Sequence, residues 1–145
     1  MNAPPSKCRS LNHVERHDRT VGWKDGGCYG LRSGHRAAIA RCFAAERARV
    51  VVAELNPETG AAMAAELKAA GASALFARTD VTDPASVAAM HDATRVAFGT
   101  PDILVNNAGI NVFRDPLAMS DQDWDRCMSV DLEGVWRCTR AFLRE

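Results

Sequence analysis

Three clusters of polar residues carry the side chains best suited to ligand chemistry. Glu54 closes the apolar, β-branched run Arg49–Ala53 (RVVVA). A carboxylate at such a strand end can accept hydrogen bonds from ribose hydroxyls, and its charge repels a 2′-phosphate. The ordinary alternative is a solvated Glu at a strand end. Asp80-Val81 follows the shorter run Ala74–Ala77 (ALFA). Both residues would face the ligand crevice of an open α/β sheet, which lies beyond the carboxyl ends of its strands. Here the alternative is helix capping by Asp83, with Asp80 merely solvated. Asn106-Asn107-Ala108-Gly109 comes directly after Asp102–Val105 (DILV). Two amides and a glycine suit a close backbone approach to a ligand; a simple Asn-rich turn is the competing account.

Other chemistry has thinner support. The five cysteines form no CxxC pair and are odd in number, as expected of a reduced, cytosolic protein. His13 and His17 have the spacing of helix ligands, but their segment lacks a helical apolar pattern, so no metal is expected. Tyr29 is the only tyrosine, and Ser33 stands four residues after it. No Ser-His-Asp set is recognisable.

The elements that would position these clusters alternate regularly. Strands are predicted at 49–53, 74–77 and 103–105. Asn56-Pro57 starts a helix, with Ala62, Leu67 and Ala70 among its apolar members, and Gly71 ends it. Asp83-Pro84 starts another, with Val87, Met90 and Ala97 along one face, and Gly99 ends it. Ser120 caps a long helix with Asp121, Asp123 and Asp125 near its positive end. Trp124, Met128, Leu132, Val135 and Phe142 recur along its apolar side. This alternation predicts right-handed βαβ units, a parallel sheet and a three-layer α/β/α architecture.

With 145 residues the chain can build one real core. Apolar residues make up 47% and the formal net charge is zero, so no global basic field invites nucleic acid. No apolar run reaches the roughly 18 residues that span a bilayer, and no secretory signal is visible, so the cytoplasm is the expected location.

The run DILVNNAGI (102–110) is similar to the signature on the fourth strand of short-chain dehydrogenases/reductases. RVVVAELNP (49–57) resembles that family's second strand and ribose-binding acid. TDVTDP (79–84) resembles its adenine-binding stretch, and WDRCMSVDLEGVW (124–136) its fourth long helix. The resemblance covers roughly residues 35–145. It implies a Rossmann-type doubly wound parallel sheet, incomplete at three to four strands, forming a partial NAD-binding domain over 38–145. It implies hydride transfer between NAD and an alcohol or carbonyl, with Glu54 on the adenosine ribose favouring NAD over NADP. Asp80 and Val81 would contact the adenine. Asn107, Ala108 and Gly109 would line the cofactor near its ribose, and Asn106 would stabilise the strand end. Asp131 occupies the place of a catalytic-tetrad Asn. The helix over 120–143 would make homo-oligomer contacts.

Departures from the family pattern lie at both ends. The Gly-rich turn TGxxxGxG should fall near residues 29–36; Gly30 and Gly34 match, but Arg36 replaces the third glycine. Arg47 takes the place of a helix-ending glycine, where the left-handed conformation costs about 1 kcal/mol. The family's Ser, Tyr and Lys belong to its fifth strand and helix, beyond Glu145, so an inactive fragment with partial nucleotide binding is the alternative expectation. An apolar edge at the DILV strand is expected to make this chain poorly soluble.

Residues 1–37 are predicted to be irregular, apart from a short strand near Gly27–Gly30, and carry seven Lys/Arg against three Asp/Glu. Codons for residues 22–38, read one base later with suitable synonymous choices, give GRTAVVTGSGPGIGRA, in register with the family's first strand and turn. A frameshifted reading of this segment, with compensation near Ala37–Ala38, would explain its aperiodicity and its arginine excess.

Overall fold

The strand Arg49–Glu54 organises the molecule. In the computed structural model, which describes residues 20–25 and 34–143, it is the second of four strands. These are β1 (Thr20–Asp25), β2 (Arg49–Glu54), β3 (Ala74–Arg78) and β4 (Ile103–Val105). Helices α1 (Gly34–Ala45), α2 (Pro57–Ala69) and α3 (Pro84–Phe98) connect them. After β4 come a 3-10 turn at Pro116–Ala118 and α4 (Asp121–Met128). A π-helical turn at Ser129–Glu133 leads on to α5 (Gly134–Phe142).

All pairings are parallel and the strand order is β3-β2-β1-β4. Two successive crossovers move in one direction, and the third passes back over β1. With a constant right-handed crossover, that reversal shifts the connecting helix to the opposite face of the sheet. It also opens a crevice beyond the carboxyl ends of β1 and β4, where open α/β sheets bind ligands.

Side-chain alternation along β2 builds both cores. Val50 and Val52 pack with Ala40, Ala64 and Leu67 on one face. Val51 and Ala53 pack with Val87, Met90 and Cys138 on the other. A strand covered on both faces needs an uninterrupted apolar run, and RVVVA supplies it. Each buried valine contributes roughly 1.5–3 kcal/mol. The architecture is therefore the predicted three-layer α/β/α Rossmann type, with four strands.

Local signals set the element ends. The Asn56 side chain accepts from the Glu58 and Thr59 amides, and Pro57 opens α2. Asp83 accepts from Ala85, and Ser120 from Asp123. Gly71 and Gly99 have φ of 86° and 81°. Arg47 has φ 65°, the only described non-glycine residue with positive φ. Its flanking bonds, Arg47 N–H to Ala44 C=O and Ala48 N–H to Phe43 C=O, form the turn that glycine usually makes.

Several expectations are corrected. Within the supposedly irregular segment 1–37, residues 20–25 form β1 and Gly34 opens α1. TVGWKD sets Gly22 and Lys24 beside Val21 and Trp23, so it lacks the uninterrupted apolar run by which β2 is read. The short strand expected at 27–30, like Gly30 itself, lies outside the described residues. Cys42 is disulfide-bonded, so the expectation of reduced cysteines fails there; Cys127 and Cys138 are free. Sequence spacing does not show which sulfurs meet in space. The buried stripe of α2 is Gly60, Ala64 and Leu67, while Ala62 and Ala70 are exposed. In α3, Val87 and Met90 are buried with Thr94, and Ala97 is exposed. The long helix is broken by the π turn, and Trp124 and Leu132 on its apolar side are exposed.

Candidate functional site

Parallel pairing brings all four strand ends to one edge. Asp25, Glu54 and Arg78 are aligned partners across β1, β2 and β3, and Val105 of β4 aligns with Trp23. The three sequence clusters therefore converge beyond the carboxyl ends of the strands.

Glu54 is not a solvated strand end. It is 3% exposed, and its Oε1 accepts the Asn56 N–H at 2.8 Å. Its backbone carbonyl accepts from the Thr79 amide, which ties β2 to the segment after β3. Gly60 of α2 permits this packing. A Cβ there would lie 2.2 Å from Phe76 Cε2 and 2.9 Å from Glu54 Cβ. A glycine inside a helix usually has such a packing reason, so this position could have been flagged from the sequence.

Asp80 is half-buried and shapes the next loop. Its Oδ1 accepts from the Thr82 amide at 2.8 Å and from the Thr82 hydroxyl at 2.7 Å. Its own N–H donates to Ser86 Oγ at 2.9 Å. Among the described residues, Oδ2 has no hydrogen-bond partner. Val81 is 8% exposed and packs with Val87, Met90 and Cys138.

The third cluster leaves β4. Asn106 Nδ2 donates to Thr139 Oγ1 of α5 at 3.1 Å. Asn106 Oδ1 and Asn107 Nδ2 are buried and find no partner among the described residues. A buried amide without a partner costs about 1–3 kcal/mol, so these atoms suit a polar ligand. Asp131, in the π turn, accepts the Ile110 N–H on Oδ1 at 2.8 Å. The same oxygen lies 3.6 Å from where a Gly109 Cβ would stand. Asp131 thus holds the loop backbone, and the π turn aims it there.

Gly34 is the first residue of α1, and Arg36 is half-buried in its first turn. Among the described residues no His/Cys/Asp/Glu group could hold a metal. Among them, too, no helix is long and apolar enough to cross a membrane. Sequence reading missed Thr139 and Ser86 as partners of the site. Thr139 lies 33 residues from Asn106, and no local pattern joins them.

These residues fit a nicotinamide dinucleotide. A buried acid ends β2, a part-free carboxylate follows β3, and unpartnered amides follow β4. The chain is 42% identical over 113 residues to a D-threitol dehydrogenase of Mycolicibacterium smegmatis, covering 77% of this chain and 43% of that protein. It is 43% identical over 116 residues to a cis-4-hydroxycyclohexanecarboxylate dehydrogenase of Sinomonas cyclohexanicum, covering 79% and 46%. The chain thus spans less than half the length of these relatives. A solved short chain dehydrogenase/reductase from Burkholderia phymatum, in complex with NAD, superposes with a TM-score of 0.80. It is 30% identical, over 90% of this chain and 45% of that one. The sequence pattern of the family described as short chain dehydrogenase matches residues 29–145. The chain belongs to the short chain dehydrogenase family, whose members bind NAD(P).

Proposed function

We propose that this chain forms the dinucleotide crevice of an oxidoreductase that uses NAD in preference to NADP and acts on a small alcohol or carbonyl. The observation that carries the preference is the Glu54 carboxylate, buried at the end of β2. An ionised acid there accepts from ribose hydroxyls and repels a 2′-phosphate. The bound cofactor supplies the hydride.

The chain's own residues bind and orient. Asp80 and Val81 hold the adenine. Asn107, Ala108 and Gly109 line the cofactor near its ribose, with Asn106 fixed to α5 behind them. Asp131 keeps the Gly109–Ile110 backbone in place. By the family resemblance Gly30 and Gly34 are the glycines of the phosphate-binding pattern, and Gly34 opens α1. The dinucleotide-binding unit comprises residues 38–145 together with β1 and the start of α1, and a cytoplasmic location suits its chemistry. Trp124, Leu132 and Trp136 are more than half exposed on the long helix, which supports subunit contacts through it.

Titrating the chain with NADH and NADPH tests the cofactor reading. NADH should bind at least about tenfold tighter, and Glu54→Ala should bring the two close to parity. Equal affinities in the unmodified chain would refute the preference.

A further inference from the structure

The main chain at Val81 is clamped from two directions. On one side, the Thr82 N–H of the Val81–Thr82 peptide donates to Asp80 Oδ1 at 2.8 Å. On the other, the Val81 C=O of that peptide accepts from Arg137 Nη1 at 3.5 Å, across 56 residues of chain. The same Nη1 reaches the Ser129 C=O at 3.3 Å, and Nη2 pairs with Glu133. Ser129 C=O also accepts the Gly134 N–H, the bond that closes the π turn. Arg137 and Gly134 therefore converge on one carbonyl. Gly134 then meets Val81 directly: a Cβ there would lie 2.7 Å from Val81 Cγ2 and 3.1 Å from its Cβ.

We infer that Gly134 and Arg137 are positioning residues for the adenine side of the crevice. Gly134 sets how closely the helix approaches Val81, and Arg137 fixes the plane of the Val81–Thr82 peptide. Through that peptide Arg137 also fixes Asp80, whose Oδ1 is held by the Thr82 amide and whose Oδ2 stays available. The geometry stands alone, but its consequence for cofactor rests on the NAD reading above. Arg137 suits this task because it is only about a quarter exposed and its fork can serve two carbonyls and a carboxylate at once.

Arg137→Met keeps the apolar stem and removes the donors. It should weaken both NADH and AMP by the same factor, about three- to tenfold. It should also speed amide hydrogen exchange at Thr82 in the absence of ligand, while β2 amides stay unchanged. Arg137→Lys, which retains a donor, should recover part of each effect. Gly134→Ala should weaken AMP further, and that loss should shrink in a Val81→Ala background, where the clashing Cγ2 is gone. A melting shift with unaltered NADH and AMP affinity and unaltered Thr82 exchange would mean ordinary packing and overturn the inference. If the unmodified chain binds neither ligand, the NAD reading fails by itself. The exchange arm then decides the positioning claim: faster Thr82 exchange in Arg137→Met supports it, and no change overturns it.

Discussion

β2 and β4 are written in nearly the same letters, RVVVAE and ILV, yet they end in different surroundings. Val50, Val51 and Val52 are at most 2% exposed, whereas Ile103, Leu104 and Val105 are all only half-buried. β2 lies between β1 and β3 with a helical layer on each face. Among the described residues, β4 pairs with β1 alone. An apolar run announces that a strand seeks cover; its place in the sheet decides how much it finds. The difference extends to the site. At Glu54 the carboxylate accepts from the Asn56 amide and the carbonyl from the Thr79 amide, while beyond β4 Asn106 Oδ1 and Asn107 Nδ2 find no partner among the described residues.

The contrast can be broken most directly by truncating a leucine on each side. Leu67 is 2% exposed and faces β2, so Leu67→Ala should cost about 3 kcal/mol in chemical denaturation. Leu104→Ala, at a half-buried position, should cost roughly half as much. Equal losses would mean that β4 is as well covered as β2.

A smaller effect of opposite sign belongs to the turn that feeds β2. Arg47 holds φ 65° in a bend that glycine makes without strain. Arg47→Gly should stabilise the chain by about 0.5–1 kcal/mol, seen as a higher denaturation midpoint with an unchanged slope. A loss of stability would show that the Arg47 side chain contributes more than its backbone strain costs.

The smallest effect concerns the helices outside β2. Arg41 of α1 and Glu66 of α2 form a two-pronged hydrogen-bonded pair with both side chains about half exposed. The hydrogen bond from Arg41 holds the Glu66 carboxyl below its ordinary range, and that from Glu66 raises Arg41. Because the folded pKa of Glu66 is depressed, its contribution is present above the unfolded value and is lost as pH falls through the folded one. Solvent screening keeps it below about 1 kcal/mol. Stability should therefore dip modestly below about pH 4, and Glu66→Gln should flatten that part of the profile. A dip of the same size in the Gln variant would assign it to other carboxylates.

Much of the molecule was legible beforehand for a clear reason. Asn56, Asp83 and Ser120 act on amides two or three residues away, and Gly71 and Gly99 act on their own φ angles. Such interactions are complete within a heptapeptide, so the residue type suffices. The ends of β2 and β4, and the clusters Glu54, Asp80-Val81 and 106–109, were visible likewise because apolar runs stop where polar ones begin. β1 was not visible: TVGWKD sets Gly22 and Lys24 beside its two apolar residues, so it lacks the uninterrupted apolar run that marks β2. Nor was the break in the long helix, since its apolar spacing runs through the π turn without interruption.

The sequence by itself determined the alternation of elements, their caps, and the polar residues that would stand at the strand ends. Only the tertiary structure decided what those residues do. Glu54 became a buried acid because Gly60 lets α2 close over it. Asp131 became the anchor of the Ile110 amide 21 residues away. Arg137 reached a carbonyl 56 residues back along the chain. Caps and turns are closed by neighbours in sequence; burial, and hydrogen bonds between distant segments, exist only once the sheet has brought those segments together.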